Sequence, residues 1–187
     1  MDEVGTRDAI GRALLELLAE GRPVSYGAAA TRAGVSKGLV QHYFPERGKL
    51  VRFAAATLAG RLVRRSGRLP APADPTEALA TVLIALLPVD PDARLEQAAG
   101  RSLFALALTD PQTNAAYRQG RAALTAQVRD LLAKATPTLP PERAEQTCRD
   151  LLGTLDELGT DLLLGELTAD RAADLLRRRV EAATAAG

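Results

Sequence analysis

Three Asp-Pro pairs constrain this 187-residue chain more than any other feature: Asp74-Pro75, Asp90-Pro91 and Asp110-Pro111. An Asp side chain accepts from the free N–H groups of a helix's first turn, and Pro at the first helical position has no N–H to leave unsatisfied. Each pair therefore marks a helix start. Asp74-Pro75-Thr76-Glu77 adds a Glu three residues after the cap, which would reach back to the cap's own N–H. Pro140-Pro141-Glu142 and Thr168-Ala169-Asp170 open two further helices. Gly21, Gly34, Gly67 and Gly165 stand where helices should stop, since Gly takes a left-handed cap without strain.

Between these marks the apolar spacing is helical, and no segment sustains the period-two alternation of a strand. The pattern predicts nine helices, over 6–20, 25–33, 37–44, 47–66, 75–87, 91–108, 111–135, 142–164 and 169–184. Aromatics are 3% of residues and Trp is absent, so the core must come from Leu, Ala and Val, most of which favour helix. The expected class is all-α: a three-helix head, a bridging fourth helix and a larger helical body, divided as 1–46 and 47–187. Arg68 to Pro75 is the one evident linker, too short to detach two independent domains.

The single cysteine, Cys148, excludes an internal disulfide framework and is compatible with a reducing cytoplasm. Met1-Asp2-Glu3 lacks the basic region and apolar run of a secretory signal, and the apolar stretch Leu79 to Leu87 is too short to span a bilayer. A cytoplasmic protein without membrane contact is expected.

The net charge of +1 conceals an asymmetry: 11 basic against 6 acidic residues in 1–66 (+5), and 13 against 17 in 67–187 (−4). Within 21–65 Glu46 is the only acid beside 9 basic residues. A basic head on a mildly acidic body suggests a polyanion as partner of the head alone.

Residues 24–44 give that suggestion a geometry. Two short helices meet at Ala33-Gly34-Val35-Ser36, where Gly34 can take the positive φ of a tight turn, Val35 can plug the angle and Ser36 can cap the second helix. This is a helix-turn-helix layout. In the second helix Val40 and Phe44 are four apart and share the core side, which leaves Lys37, Gly38, Leu39, Gln41 and His42 outward and Tyr43 near the core edge. In a major groove Gln41 can bond adenine, Lys37 can reach guanine or phosphate, and Leu39 can meet a thymine methyl. Gly38 admits close approach of the backbone. Ser25 and Tyr26 at the preceding helix start, with Arg47 and Lys49 just after the reading helix, are candidate phosphate contacts.

The run Gly34-Val35-Ser36-Lys37-Gly38-Leu39-Val40-Gln41-His42-Tyr43-Phe44, followed by Arg47 and Leu50, resembles the DNA-binding signature of the TetR family of transcriptional regulators. The resemblance implies a homodimer on a double-stranded operator of two half-sites, with repression as the family default, and a body that binds a small-molecule effector. Two departures stand out. Arg47 occupies a place where the family commonly has Lys, which preserves a phosphate role, and Gln41 stands where Tyr is frequent, which changes the bases read.

The resemblance also implies that the helices near 142–164 and 169–184 pair with their copies, and on them Cys148, Leu152, Leu155, Gly159, Leu163, Leu176 and Val180 are the expected dimer residues. The alternative is that both stripes serve only the monomer core. An effector pocket among the helices at 47–135 would draw on Leu83, Leu86, Leu103, Phe104, Leu108, Tyr117, Arg121 and Leu124. Few aromatics weigh against a cage for a flat cation and toward an aliphatic or modest-sized ligand.

An enzyme is not expected: there is no GxSxG elbow, Walker loop or GxGxxG, and no second His beside His42. Glu96, Asp110, Asp156, Glu157 and Asp161 could contain a carboxylate pair, but caps and surface positions account for most of them. One His and one Cys cannot build a zinc site without carboxylates, nothing shows HExxH or paired-Cys spacing, and neither metal nor cofactor is expected. The competing reading is a sequence-tolerant architectural DNA binder without an effector, for which a body of this size is more than attachment requires.

Overall fold

The computed structural model describes residues 3–69 and 72–185. Pro70 and Ala71 of the expected linker, and Met1 and Asp2 of the start, lie outside the described residues. The described chain forms nine helices and no strand: α1 Glu3–Ala19, α2 Tyr26–Ala33, α3 Lys37–Tyr43, α4 Arg47–Gly67, α5 Pro75–Ala85, α6 Pro91–Ala107, α7 Pro111–Ala135, α8 Pro141–Leu164 and α9 Ala169–Ala185.

The Asp-Pro devices work as electrostatics requires. Asp74 accepts from the N–H groups of Thr76 (3.2 Å) and Glu77 (3.3 Å), Asp90 from Ala93 (2.7 Å) and Asp110 from Thr113 (2.7 Å). Asp110 also accepts from the Thr113 hydroxyl, and chiefly for that reason its carboxyl lies below the ordinary range, the Thr113 N–H and Arg52 assisting. Two expectations differ from the structure. Glu77 does not return to its cap, since its carboxylate lies 3.5 Å from the Arg177 guanidinium, a stronger partner than a single amide. Gly67 is the last residue of α4 without a left-handed φ, whereas Gly21, Gly34 and Gly165 have φ of 66, 67 and 77°.

Of the described residues, those within 1–61 and 95–121 pack as one compact unit and those within 62–94 and 122–187 as another. The first is built on Ile10, Leu14, Leu15 and Leu18 of α1, with Val40, Phe44, Leu50 and Leu103 against them. Each such side chain, fully buried, is worth about 1.5–3 kcal/mol. Polar ties fix the same unit: Ser102 donates to the Leu18 carbonyl at 2.7 Å, and Arg61 meets the buried Glu96 at 2.6 Å. The second unit is centred on Leu79 and Leu83 of α5, Leu87 just beyond it, Val128 and Leu132 of α7, and the apolar sides of α8 and α9. At its α8 end Arg94 donates to the carbonyls of Leu162 (3.0 Å) and Leu163 (3.3 Å), placing a cation at a helix C-terminus.

Candidate nucleic-acid interface

The segment from Ser25 to Phe44 folds locally for reasons its residues supply. Ser25 caps α2 by accepting from the Ala28 N–H at 3.2 Å. Gly34, at φ 67° and ψ 33°, reverses the chain, and the Val35 N–H closes onto the Ala30 carbonyl at 3.0 Å. A side chain at position 34 would strain this left-handed backbone. Ser36 then caps α3 by accepting from the Leu39 N–H at 3.1 Å. Both Ser hydroxyls keep their proton, which remains free to be donated to an anion.

Val40 and Phe44 are buried, and Phe44 packs on Phe53 of α4 with ring centroids 4.8 Å apart. Lys37, Gly38, Gln41 and His42 are exposed on the other side, while Leu39 and Tyr43 are half-buried. The nearest atom to a Cβ built on Gly38 is Ser36 Oγ at 4.0 Å, so nothing in the chain itself requires glycine there. Lys37 has no ion-pair partner among the described residues, so its charge is uncommitted. Tyr26 and Ser25 are half-buried at the start of α2. The exposed Arg47 donates to the Val24 carbonyl at 3.3 Å, which ties the start of α4 to the entry of α2. Lys49 lies 3.1 Å from Glu46, so an anion would compete with that carboxylate for it.

Two features of this surface are not visible in the sequence. Arg7 of α1 sits over the rings of Tyr43 (5.8 Å) and Phe53 (5.7 Å), bracing the end of α3 through cation–π contacts that no local pattern announces. The basic excess of 21–65 is also smaller in space than in sequence. Arg32 is held by both oxygens of Glu20 at 2.7 Å and by Glu16 at 3.3 Å. The hydrogen bond from Arg32 lowers the Glu20 pKa, and that to Glu20 raises the pKa of Arg32. Arg52 bonds Gln112 and approaches Glu46, and Arg61 is committed to Glu96.

The residues expected at an effector pocket fall on both hydrophobic clusters. Leu83, Leu86 and Leu124 belong to the second unit's core. Leu103 and Tyr117 belong to the first unit's core, Phe104 contacts the Tyr117 ring at 5.7 Å, and Arg121 is half-buried. Phe104 and Leu108 remain 47% and 69% exposed. Of the expected dimer residues, Cys148, Leu152, Leu155, Gly159, Leu176 and Val180 are buried inside the chain's own core and Leu163 is half-buried. Burial raises the Cys148 thiol pKa. No group of three or more metal-ligating side chains occurs among the described residues, and no helix there is long and apolar enough to cross a membrane.

The family model of the BetI-type transcriptional repressor C-terminal domain matches residues 75–185. No curated protein matches the chain. Among solved structures, a transcriptional regulator from Rhodococcus sp. RHA1 is similar over 96% of both chains, with 24% identity and a TM-score of 0.83. A TetR-like regulator from the same organism covers 100% of both chains at 20% identity and a TM-score of 0.75. A protein from Saccharomonospora viridis, described as a transcriptional regulator and solved in complex with choline, covers 96% of this chain and 97% of its own at 18% identity and a TM-score of 0.81.

Proposed function

We propose, from the premise that the chain belongs to the TetR family of transcriptional regulators and carries a BetI-type repressor C-terminal domain, that it is a ligand-responsive repressor which binds a palindromic operator as a homodimer. The observation that carries this reading is the two-sided α3, with Val40 buried and Lys37, Gly38, Gln41 and His42 exposed beside a left-handed Gly34 turn. A major groove admits such a helix. Gln41 reads a base edge, Lys37 reaches guanine or phosphate, Leu39 meets a thymine methyl, and the open Gly38 lets the backbone approach. Ser25, Tyr26, Ser36, His42, Tyr43, Arg47 and Lys49 hold the phosphates on either side.

Residues 1–46 are the DNA-binding part and 47–187 the effector-binding and dimerising part. Self-association runs through α8 and α9. Since most Leu positions of both helices fill the monomer core, partner contacts fall to their outer sides, with Leu163 at the edge. Gly153 supports this: it is exposed, a Cβ there would meet nothing within 4 Å, and it costs about 1 kcal/mol relative to Ala inside a helix. A second helix approaching closely gives that glycine a purpose. Leu164, 67% exposed, lies on the same side.

The effector is a small organic molecule, for which Leu83, Leu86 and Leu124 are the candidate contacts within the second unit and Leu103, Phe104, Leu108, Tyr117 and Arg121 those within the first. The choline held by the Saccharomonospora viridis relative supports that size class. The protein acts in the cytoplasm. The dimer holds two copies of α3 about 34–36 Å apart, or a multiple. An effector that prefers a body conformation with another separation weakens operator binding by its differential affinity for the two states.

The test is selection of the purified chain against random-sequence duplexes at about 150 mM salt, where non-specific phosphate binding is weakened. An enriched inverted repeat is expected. Binding of all duplexes alike would replace this reading with a sequence-tolerant architectural one.

A further inference from the structure

A cavity of about 180 Å³ opens between α8 and α9 of the second unit, lined by none of the residues assigned above. Leu139 and Leu151 give it an apolar floor, and Arg143, Thr147, Asp150 and Arg179 line its sides. Neither guanidinium has an ion-pair or hydrogen-bond partner among the described residues. In the same unit Arg129 pairs with Glu145 at 2.7 Å, Arg149 with Gln146 at 2.8 Å and Arg177 with Glu77 at 3.5 Å. The Thr147 hydroxyl is likewise unbonded among the described residues, whereas Thr154 and Thr160 on the same helix donate to the carbonyls four residues back at 3.0 and 2.8 Å. The one carboxylate of the lining, Asp150, already accepts from Gln146 at 2.7 Å. Two solvent-exposed cations and a half-buried hydroxyl with unspent donors thus line a half-open space beside Leu139 and Leu151.

We propose that this cavity binds a small carboxylate with a short aliphatic body. Guanidinium donors match a carboxylate as a planar fork, and the leucine floor takes the alkyl part. The charge of the lining favours one valence: two Arg and one Asp leave a net +1, which neutralises a monoanion and leaves one charge of a phosphate dianion uncompensated. The volume is below the roughly 300–1,000 Å³ of drug-sized sites, which limits the ligand to a few heavy atoms. This binding is independent of the operator reading. At about 100° per residue, Arg143, Thr147 and Asp150 lie 60–120° round α8 from Gly153, so ligand and second copy take different flanks.

The test is isothermal titration of the full chain with butyrate, inorganic phosphate and butanol, repeated for Arg143→Gln and Arg179→Gln, with thermal melting as control for folding. Saturable butyrate binding is expected, weakened at least about tenfold by either variant, because each removes a charge-assisted hydrogen bond. Phosphate should bind more weakly and butanol not at all. Arg179→Lys, which keeps the charge and loses the fork, should fall between wild type and Arg179→Gln. No saturable butyrate binding at millimolar concentration overturns the proposal. So does phosphate binding more tightly than butyrate, or butyrate affinity unchanged in both Gln variants.

Discussion

Helix α3 and helix α8 both carry apolar residues at helical spacing, yet they divide their surfaces differently. α3 is seven residues long, has one fully buried side chain, Val40, and turns the rest to its edges or to solvent. α8 is 24 residues long and buries Cys148, Leu151, Leu152, Leu155, Leu158, Gly159 and Leu162 in the chain's own core. A short helix with a narrow buried edge declares its outer side by subtraction. On a long helix with a wide stripe, leucine answers both to a core and to an interface, and the sequence does not separate the two. The expected dimer residues other than Leu163 lie in the chain's own core for this reason, and in the proposed dimer the partner meets the polar side around Gly153.

The sharpest way to break that comparison is Leu176→Ala. As a core residue it should cost about 2–5 kcal/mol of unfolding free energy at any protein concentration. A loss visible only at low concentration would return Leu176 to the interface. Gly153→Leu should do the reverse, leaving the melting of the monomer unit intact while light scattering reports a change of oligomer.

On α3 the corresponding change is Gln41→Ala. It should weaken binding to the selected operator by about 1–3 kcal/mol and relax preference at one base position, with circular dichroism unaltered. Lys37→Ala, if it contacts phosphate, should weaken all duplexes alike and flatten the dependence of affinity on salt. An identical salt slope would move Lys37 to base reading. Gly34→Ala tests the turn that presents both residues. Forcing a Cβ into φ 67° should cost about 1–2 kcal/mol of stability, and operator binding should fall only as far as the head unfolds.

What was legible follows the range of the physics. Helix starts depend on neighbours in sequence, so Asp74, Asp90 and Asp110 announce α5, α6 and α7 to the residue. The turn at Gly34 and the buried pair Val40 and Phe44 are local too, and they disclose α3 and its outward side. Charge is not local. Nine basic residues beside one acid in 21–65 become far fewer uncommitted charges once Glu16, Glu20 and Glu96 fold back onto Arg32 and Arg61. Arg7 over Tyr43 is equally silent in the sequence, as is Glu77 leaving its cap for Arg177, because each partner comes from a distant helix.

Asp90 joins both kinds of interaction and so separates them by titration. Its carboxyl is held below the ordinary range, first by the Ala93 N–H at 2.7 Å and then by the Arg65 guanidinium at 2.8 Å. A depressed carboxyl stabilises the fold above its unfolded pKa, near about 4, and that contribution is lost as pH falls through the folded value. Asp90→Asn keeps a capping oxygen, which serves a helix start about as well as Asp, but it loses the ion pair and the titration. Its melting temperature should therefore fall slightly below wild type at pH 7 and meet wild type in acid. That gap should be smaller than the effect of any substitution above, because the Asp90 side chain is 46% exposed and solvent screens the pair. Asp90→Ala removes the cap as well and should stay below both at every pH. Curves for Asp90→Asn and wild type that run parallel into acid would leave the cap as the whole of Asp90's role, the part that the sequence alone announces.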